Sequence, residues 1–507
     1  MILLRKEKRK MKKLSAMKYI LLNQDEYRDK VYACWLGKNI GGTMGAPYEG
    51  QNEINDIKGF VTKENEVLPN DDLDLQLVWL HAVEELGPEN ITPQTLGEMW
   101  VSFIGPHWNE YGLGKNNLKH GMIPPLSGDY RNNWRDSNGA WIRTEIWASL
   151  APANPDAALR YAYADASVDH GMGEGTTAAV FVAAIESAAY VVNDFRTLLS
   201  IGLSKIPADS RVARSIRLLL QCYDSGMDWK DTRNKIQQEN ADIGDGWFEA
   251  PSNVAYAMLG ILYGGCDFKK SMIIGIDCGD DTDCTGATIG SVLGIMGGTK
   301  AIPEDWKAHL GDDIVTVSIN KGCLYDVPTT CTELTEHVVR EAPSVLHANR
   351  NTAGFNVEFT DGKTWVPEGV SEWFADPKEG LTILSKSPYS FEMDFHVAKA
   401  VVMYDGAPDI RPGETLNLTI RFVNNWQKFG DMAYFLNLQW FLPEGWSVSG
   451  PGSIQLPHES PHSRSASVDV AFSITAGDTV QPVNRLVLQA VVDGRPTTGL
   501  IPIIVFG

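Results

Sequence analysis

The chain has 507 residues, 43% of them hydrophobic and 21% charged, with a formal net charge of −20. That length exceeds one core, since domains run to roughly 100–200 residues, and the apolar fraction excludes global disorder. The acidic balance excludes the cationic footprint of a nucleic-acid binder and leaves an anionic ligand admissible where metal ions bridge it to acidic residues.

The first residues, MILLRKEKRKMKKLSAMKYI, form a basic tail over 1–24 without the apolar core of a signal peptide or an A-x-A cleavage site. No run of apolar residues is long enough to span a membrane. The expectation is a cytoplasmic protein without a membrane partner; a true start at Met11 or Met17, or a leader hidden by a misplaced start, leaves a periplasmic or secreted location open. Next comes GGTMGAPYEG at 41–50, whose small residues let the backbone approach a neighbouring helix or a ligand, with Glu49 on a turn set by Pro47. DLQLVWLHAVEELG at 74–87 carries apolar residues at helical spacing and stops on glycine. WNEYGLGKNNLKHGMIPPLSGDYRNNW at 108–134 reads as a long loop lining a cleft, with Trp108, Tyr111, Tyr130 and Trp134 available to stack on a base or sugar, or to pack the loop down.

DAALRYAYADASV (156–168) and EGTTAAVFVAAIESAAYVV (174–192) are Ala-rich helix formers, and SRVARSIRLLLQCYDSG (210–226) has a Ser cap and a Gly end. GDGWFEAP at 244–251 offers Asp245, Trp247 and Glu249 to the same cleft, or packs against it. NVAYAMLGILYGG (253–265) and DCTGATIGSVLGIMGG (283–298) are apolar on nearly every side, as helices in the middle of a bundle are. The seven cysteines all precede residue 332, are odd in number and contain no CxxC pair, so neither a disulfide framework nor a zinc site is expected. HANRNTAG at 347–354 reads as a linker. Beyond it the period shifts toward two, in TLNLTIRFVNN (415–425), FLNLQWFLP (435–443), SVDVAFSIT (467–475) and LVLQAVVDG (486–494), separated by turn residues. The expected architecture is an all-α domain over 25–348 followed by an all-β sandwich over 352–507.

Two acidic clusters open helices: Asn70-Asp71-Asp72-Leu73-Asp74, and Asp277 with Asp280-Asp281-Thr282-Asp283. Singly, each is explained as a helix cap favoured by the macrodipole. Together they ask for more. The only Lys or Arg residues between Glu64 and His120 are Lys115 and Lys119, none lies between Ser271 and Thr299, and the second helix is apolar enough to be buried. Buried carboxylates without a cation are costly, and a hard, oxygen-loving ion such as Mg²⁺, Mn²⁺ or Ca²⁺ satisfies them.

Taken in order, G-x-x-x-GAP-x-EG at 41–50, NDDLD at 70–74, PANPDAALRYAYADASVDHGMGEG at 152–175 and DDTD at 280–283 resemble the ADP-ribosylglycohydrolase family over residues 25–345. The resemblance implies an all-helical fold with a dinuclear magnesium-type centre that hydrolyses the bond at C1 of an ADP-ribose ribose. It assigns Asp71, Asp72, Asp281 and Asp283 to one or two ions of Mg²⁺ (or Mn²⁺ or Ca²⁺), and Asn70 beside them is a further candidate ligand. By the same resemblance Glu49 becomes the residue that positions or activates water, with Asp72 and Asp281 as further catalytic candidates, and His170 a ribose contact; Trp108, Tyr111 and Asp245, read from their own segments, are the other candidate substrate contacts. Two positions depart from the family pattern: Asn70 stands where Ser or Thr is common, and Cys284 where Thr is common. The amide oxygen of asparagine binds a hard cation, whereas a thiol is a poor ligand for magnesium. RPGETLNLTIRFVNN…LPEGWSV resembles immunoglobulin-like modules appended to bacterial carbohydrate-active enzymes. The expected partner is a small-molecule, ADP-ribosylated or glycosylated substrate. Two other readings stand beside this one: a glycoside or nucleoside hydrolase acting on a non-ADP-ribose, pentofuranoside-like sugar, and a non-catalytic relative that binds a ligand.

Overall fold

The computed structural model describes residues 18–244, 246–320, 322, 324–350, 353–425, 434–458 and 466–507. They form two compact units: one holds the chain through Leu113 together with Asn132–Ser385, the other Gly114–Arg131 together with Lys386–Gly507.

The first unit is helical. Helix α1 (Gln24–Gly45) starts where the Asn23 side chain accepts a hydrogen bond from the Glu26 amide, with Asp25 and Glu26 in its first turn. Helix α2 (Asp71–Leu86) starts at Asn70 and ends at Gly87, whose φ of 77° suits glycine. The expected helices follow as α3 (Pro155–His170), α4 (Glu174–Ala189), α5 (Arg211–Asp224), α6 (Ala250–Gly264) and α7 (Thr282–Gly297). Helix α8 (Cys331–Ala348) carries Pro343 in its interior. Periodicity marked neither α1 nor α8, since α1 is glycine-rich toward its end and α8 contains a helix breaker.

The glycines of α1 and α7 decide where the site forms. The two helices run antiparallel with their backbones in contact. A Cβ on Gly37 would stand 2.2 Å from the Gly290 oxygen, one on Gly41 2.0 Å from the Gly286 oxygen, and one on Gly45 2.2 Å from the Thr282 oxygen. Spacing of four residues keeps Gly37, Gly41 and Gly45 on one helix face. This contact brings the C-terminal end of α1, and Glu49 just beyond it, against the acidic start of α7.

Strand β1 (Tyr19–Asn23) pairs in parallel with β2 (Asn356–Thr360) inside this unit. The alternating pattern that begins after residue 352 therefore enters the second unit only with β3 (Ser390–Asp394). Residues in between are tied to the helices; buried Lys205 donates to Asp156 Oδ1 at 2.6 Å and to the Asp376 carbonyl at 2.5 Å.

In the second unit, Lys386–Gly507 fold into a β sandwich. Its further strands are β4 (Ala398–Tyr404), β5 (Thr415–Asn424), β6 (Tyr434–Phe441), β7 (Ser447–Ser449), β8 (Ser453–Leu456), β9 (Ser467–Thr475), β10 (Val483–Val492) and β11 (Thr498–Phe506). One sheet has the order β11-β10-β6-β8, the other β3-β4-β5-β9-β7, and neighbours pair antiparallel. Burial alternates along β5 and β10, so one face of each sheet supplies the core. The segment 114–131 belongs here. Met122, Leu126 and Tyr130 lie in the sandwich core; Tyr130 stacks on Phe506 with ring centroids 4.6 Å apart, and its hydroxyl donates to Asp409.

That placement corrects the reading of 108–134 as one cleft-lining loop. Residues Asn109–Lys119 are helical and supply Glu110 and Tyr111, while Tyr130 is spent on the sandwich core. A run of Asn and Gly hides this helix from propensity. Among the described residues, no helix is long and apolar enough to cross a membrane.

Candidate metal centre

Each carboxylate of the two clusters has its own fate. Asp74 is buried and structural, accepting from Val317 N at 2.6 Å and from Ser318 N at 2.5 Å. Asp277 accepts from Ile57 N at 2.7 Å, and Asp280 accepts from Phe248 N at 2.9 Å and Asn253 Nδ2 at 2.8 Å. These residues hold loops in place. Asn70 acts as a cap, its Oδ1 accepting from Asp72 N at 2.9 Å. Asp71, Asp72, Asp281 and Asp283 remain, and they converge with Glu49.

Two groups of donors result. Ligand atoms of Glu49, Asp281 and Asp283 lie within 4.8 Å of one another, as do those of Asp72, Asp283 and Cys284. Asp283 belongs to both. Asp281 Oδ2 accepts from Asn138 Nδ2 at 2.7 Å, Asp71 Oδ2 accepts from the Tyr111 hydroxyl at 3.0 Å, and Cys284 Sγ donates to Asp72 Oδ1 at 3.3 Å. Three further oxygens, Asp72 Oδ2, Asp281 Oδ1 and Asp283 Oδ1, are buried and receive no hydrogen bond. Buried polar atoms are ordinarily paired, so this set of open carboxylate lone pairs fits a divalent cation.

Electrostatics agree. Like charges about 4 Å apart repel by roughly 4 kcal/mol at an effective dielectric of about 20. The Asp283 charge, then burial and the Asp71 charge, push the Glu49 carboxyl up to about 8. Burial, then Asp283, pushes Asp71 up to about 7. Burial is also the main cause that raises Asp72 and Asp281. A bound cation reverses the sign of these terms.

A cation does reach one edge of the cluster, contrary to what the local sequence suggested. Lys38 comes from the middle of α1. Its buried ammonium donates to Glu145 Oε1 at 2.8 Å and to the Ile142 carbonyl at 2.7 Å, and stands 4.0 Å from Asp72 Oδ2. Gln76 bridges the same pair, donating to Glu145 Oε2 and to the Asp72 carbonyl, both at 2.9 Å. Lys38 is the one charged residue of VYACWLGKNIGGTMG (31–45), and that isolation is its sequence signal.

The centre opens on a cavity of about 530 Å³, whose lining includes Glu49, Asp71, Asp281, Asp283, Trp108 and Tyr111. Trp108 is 48% exposed, whereas Tyr111 is buried and packs edge-on against Trp100. His170 does not line the cavity; it is fully buried, with Nε2 3.2 Å from Ser137 Oγ and Nδ1 2.9 Å from Asp169 Oδ1. Asp169 is in turn held by Arg143, with Nη2 2.7 Å from Oδ1. His170 thus supports the wall formed by Ser137, Gly139 and Glu110, residues the sequence reading missed. The 244–251 stretch divides: Phe248 lines the cavity, Trp247 is exposed and stacks on Phe248, and buried Glu249 faces a separate hollow with Asn240 and Asp280. Trp134 is half-buried and is not among the cavity-lining residues. Asp245 lies outside the described residues.

An uncharacterized protein of Archaeoglobus fulgidus is 24% identical over 301 residues, covering 56% of this chain and 92% of its own length. A solved structure titled as an ADP-ribosylglycohydrolase-related protein complex matches at 20% identity with a TM-score of 0.43, over 63% of this chain and 98% of that one. A FixG-related protein from Vibrio parahaemolyticus matches 22% of this chain and 97% of its own, at 12% identity and a TM-score of 0.18. The sequence model of the ADP-ribosylglycohydrolases matches residues 23–341, the stretch that contains every carboxylate of the centre, and the chain belongs to the ADP-ribosylglycohydrolase family.

Proposed function

We propose that the helical unit hydrolyses the glycosidic bond at C1 of an ADP-ribosyl or related ribosyl group. The single observation that carries this reading is the shared position of Asp283, one carboxylate common to two donor groups at a ligand-sized cavity. Asp71, Asp72, Asp281, Asp283 and Glu49 would hold the metal. When bound, a divalent ion there supplies charge neutralisation and a water of lowered pKa.

The chain's own residues do the rest. Glu49 is exposed beside Asp281 and Asp283, and accepts the proton of the attacking water. Asn138 holds Asp281 and Tyr111 holds Asp71, so neither carboxylate has to reorganise during reaction. The transition state would resemble an oxocarbenium ion, as in other glycoside cleavage. Trp108 offers an exposed aromatic face to the base or leaving group.

A second reading, hydrolysis of a non-ADP-ribose glycoside or nucleoside, is favoured by one observation. Among the described residues, no Lys or Arg lines the cavity, so a diphosphate would find no side-chain cation there.

The test is calorimetric titration of the EDTA-stripped protein with ADP-ribose, with and without Mg²⁺, followed by turnover of ADP-ribosylated peptides and pentofuranosides by wild type and Glu49→Gln. Metal-dependent binding and release of ADP-ribose, lost in Glu49→Gln, is the expected result. Release of a reducing sugar alone moves the assignment to the second reading. Metal binding without turnover of either substrate leaves a non-catalytic binder.

A further inference from the structure

The geometry points to two chemically unequal metal sites: a hard, all-oxygen site formed by Glu49, Asp281 and Asp283, and a mixed oxygen–sulfur site formed by Asp72, Asp283 and Cys284 that selects a thiophilic divalent ion of the Zn²⁺ or Co²⁺ class over Mg²⁺. This rests on the reading of the acidic cluster as a metal centre, and adds which ion each half of it takes.

Three observations carry the inference. Cys284 is 6% exposed, with its sulfur 3.3 Å from Asp72 Oδ1. The second group also offers Asp72 Oδ2 and Asp283 Oδ1, both buried and without a hydrogen-bond donor. The third is charge. Lys38 Nζ stands 4.0 Å from Asp72 Oδ2, so this group has an ammonium neighbour. Magnesium binding relies on anionic charge and on near-ideal octahedral oxygen geometry. A sulfur donor and a nearby cation weaken both. Zinc and cobalt bond well to thiolate, and their affinity for mixed sites exceeds that of harder ions. Cys284 cannot easily withdraw from the site. It lies in the first turn of α7, where the backbones of Gly45 and Thr282 already touch, so its position is set by helix packing.

Binding exchanges one proton for one metal–sulfur bond. The Cys284 S–H proton leaves to buffer and no electron is transferred. Asp283, common to both groups, would join the two ions.

The experiment is anaerobic titration of the EDTA-stripped full chain with Co²⁺ in saturating Mg²⁺, followed by ultraviolet–visible absorption and by metal analysis after dialysis. The expected result is one Co²⁺ per chain with a thiolate-to-cobalt charge-transfer band, retained alongside one Mg²⁺. Cys284→Ser should lose the band and let Mg²⁺ displace the cobalt. Glu49→Gln should keep the band and lose the Mg²⁺. Cobalt bound without the band, or displaced by Mg²⁺ in the wild type, overturns the inference while leaving the metal centre standing. Binding of neither ion overturns the metal centre itself. Circular dichroism of each variant separates these outcomes from loss of fold.

Discussion

Gly41 and Gly286 meet with no room for a side chain: a Cβ on Gly41 would stand 2.0 Å from the Gly286 carbonyl oxygen. The atom in the way is backbone, so relief requires the two helices to separate. Gly41→Ala is expected to cost about 3 kcal/mol or more, at the upper end of overpacking penalties. Because the same contact sets Glu49, just beyond α1, against Asp281 and Asp283 at the start of α7, this variant should also lose metal-induced stabilisation. Urea unfolding followed by helical circular dichroism, with and without Mg²⁺, checks both. Wild-type stability in Gly41→Ala would show that the helix contact is not needed.

Lys38 is the cation of a buried polar network, and its removal leaves Glu145 and Asp72 uncompensated. Breaking one side of a buried ion pair typically costs about 3–5 kcal/mol. Lys38→Met is expected to fall in that range. Lys38→Met with Glu145→Leu should recover part of the loss, since the orphaned charge goes with it. Equal destabilisation of the single and double variants in urea titration would contradict the coupling.

The cluster also fixes a pH dependence. Glu49 is raised to about 8 and Asp71 to about 7 in the folded chain. A carboxyl raised by folding contributes stability that is fully present below its unfolded pKa and is lost as pH rises through the folded value. Without metal, stability is expected to fall as pH rises from about 4 to 8. A divalent ion binds the deprotonated form, so Mg²⁺ should raise Tm more at pH 8 than at pH 5.5. Differential scanning fluorimetry in EDTA and in Mg²⁺ measures this, and a Mg²⁺ effect that shrinks with rising pH would contradict it.

Met122, Leu126 and Tyr130 occupy the core of the β unit although the chain reaches them long before the β strands. Truncation after Ser385 strips these side chains of that core. The shortened protein is expected to aggregate, whereas a truncation that also replaces residues 114–131 with a short flexible linker should remain dispersed. Size-exclusion chromatography of the two proteins decides. A monomeric, folded 1–385 fragment would show that the segment does not depend on the sandwich.

Asp281→Asn removes an anionic oxygen while keeping the shape that Asn138 contacts. Turnover is expected to fall by a factor on the order of 10² or more with Tm within a few degrees of wild type. Unchanged turnover would remove Asp281 from the centre.

The sequence by itself determined much. Periodicity located most of the central helices, alternation located the main strands of the sandwich, and the clusters at 70–74 and 280–283, with Glu49, pointed to the residues that now lie together. These are local signals, written in spacings of two and of three to four residues and in helix-start chemistry. Tertiary structure alone decided which acids face one another. Asp74, Asp277 and Asp280 look no different in sequence from Asp72, Asp281 and Asp283, yet they turn to backbone amides of other loops. It also supplied Lys38 from a distant helix, moved His170 behind the cavity wall, and assigned residues 114–131 to the β unit. Such outcomes depend on contacts between segments dozens to hundreds of residues apart. No local pattern encodes them, because the direction of a side chain in space is fixed only when the helices carrying it pack.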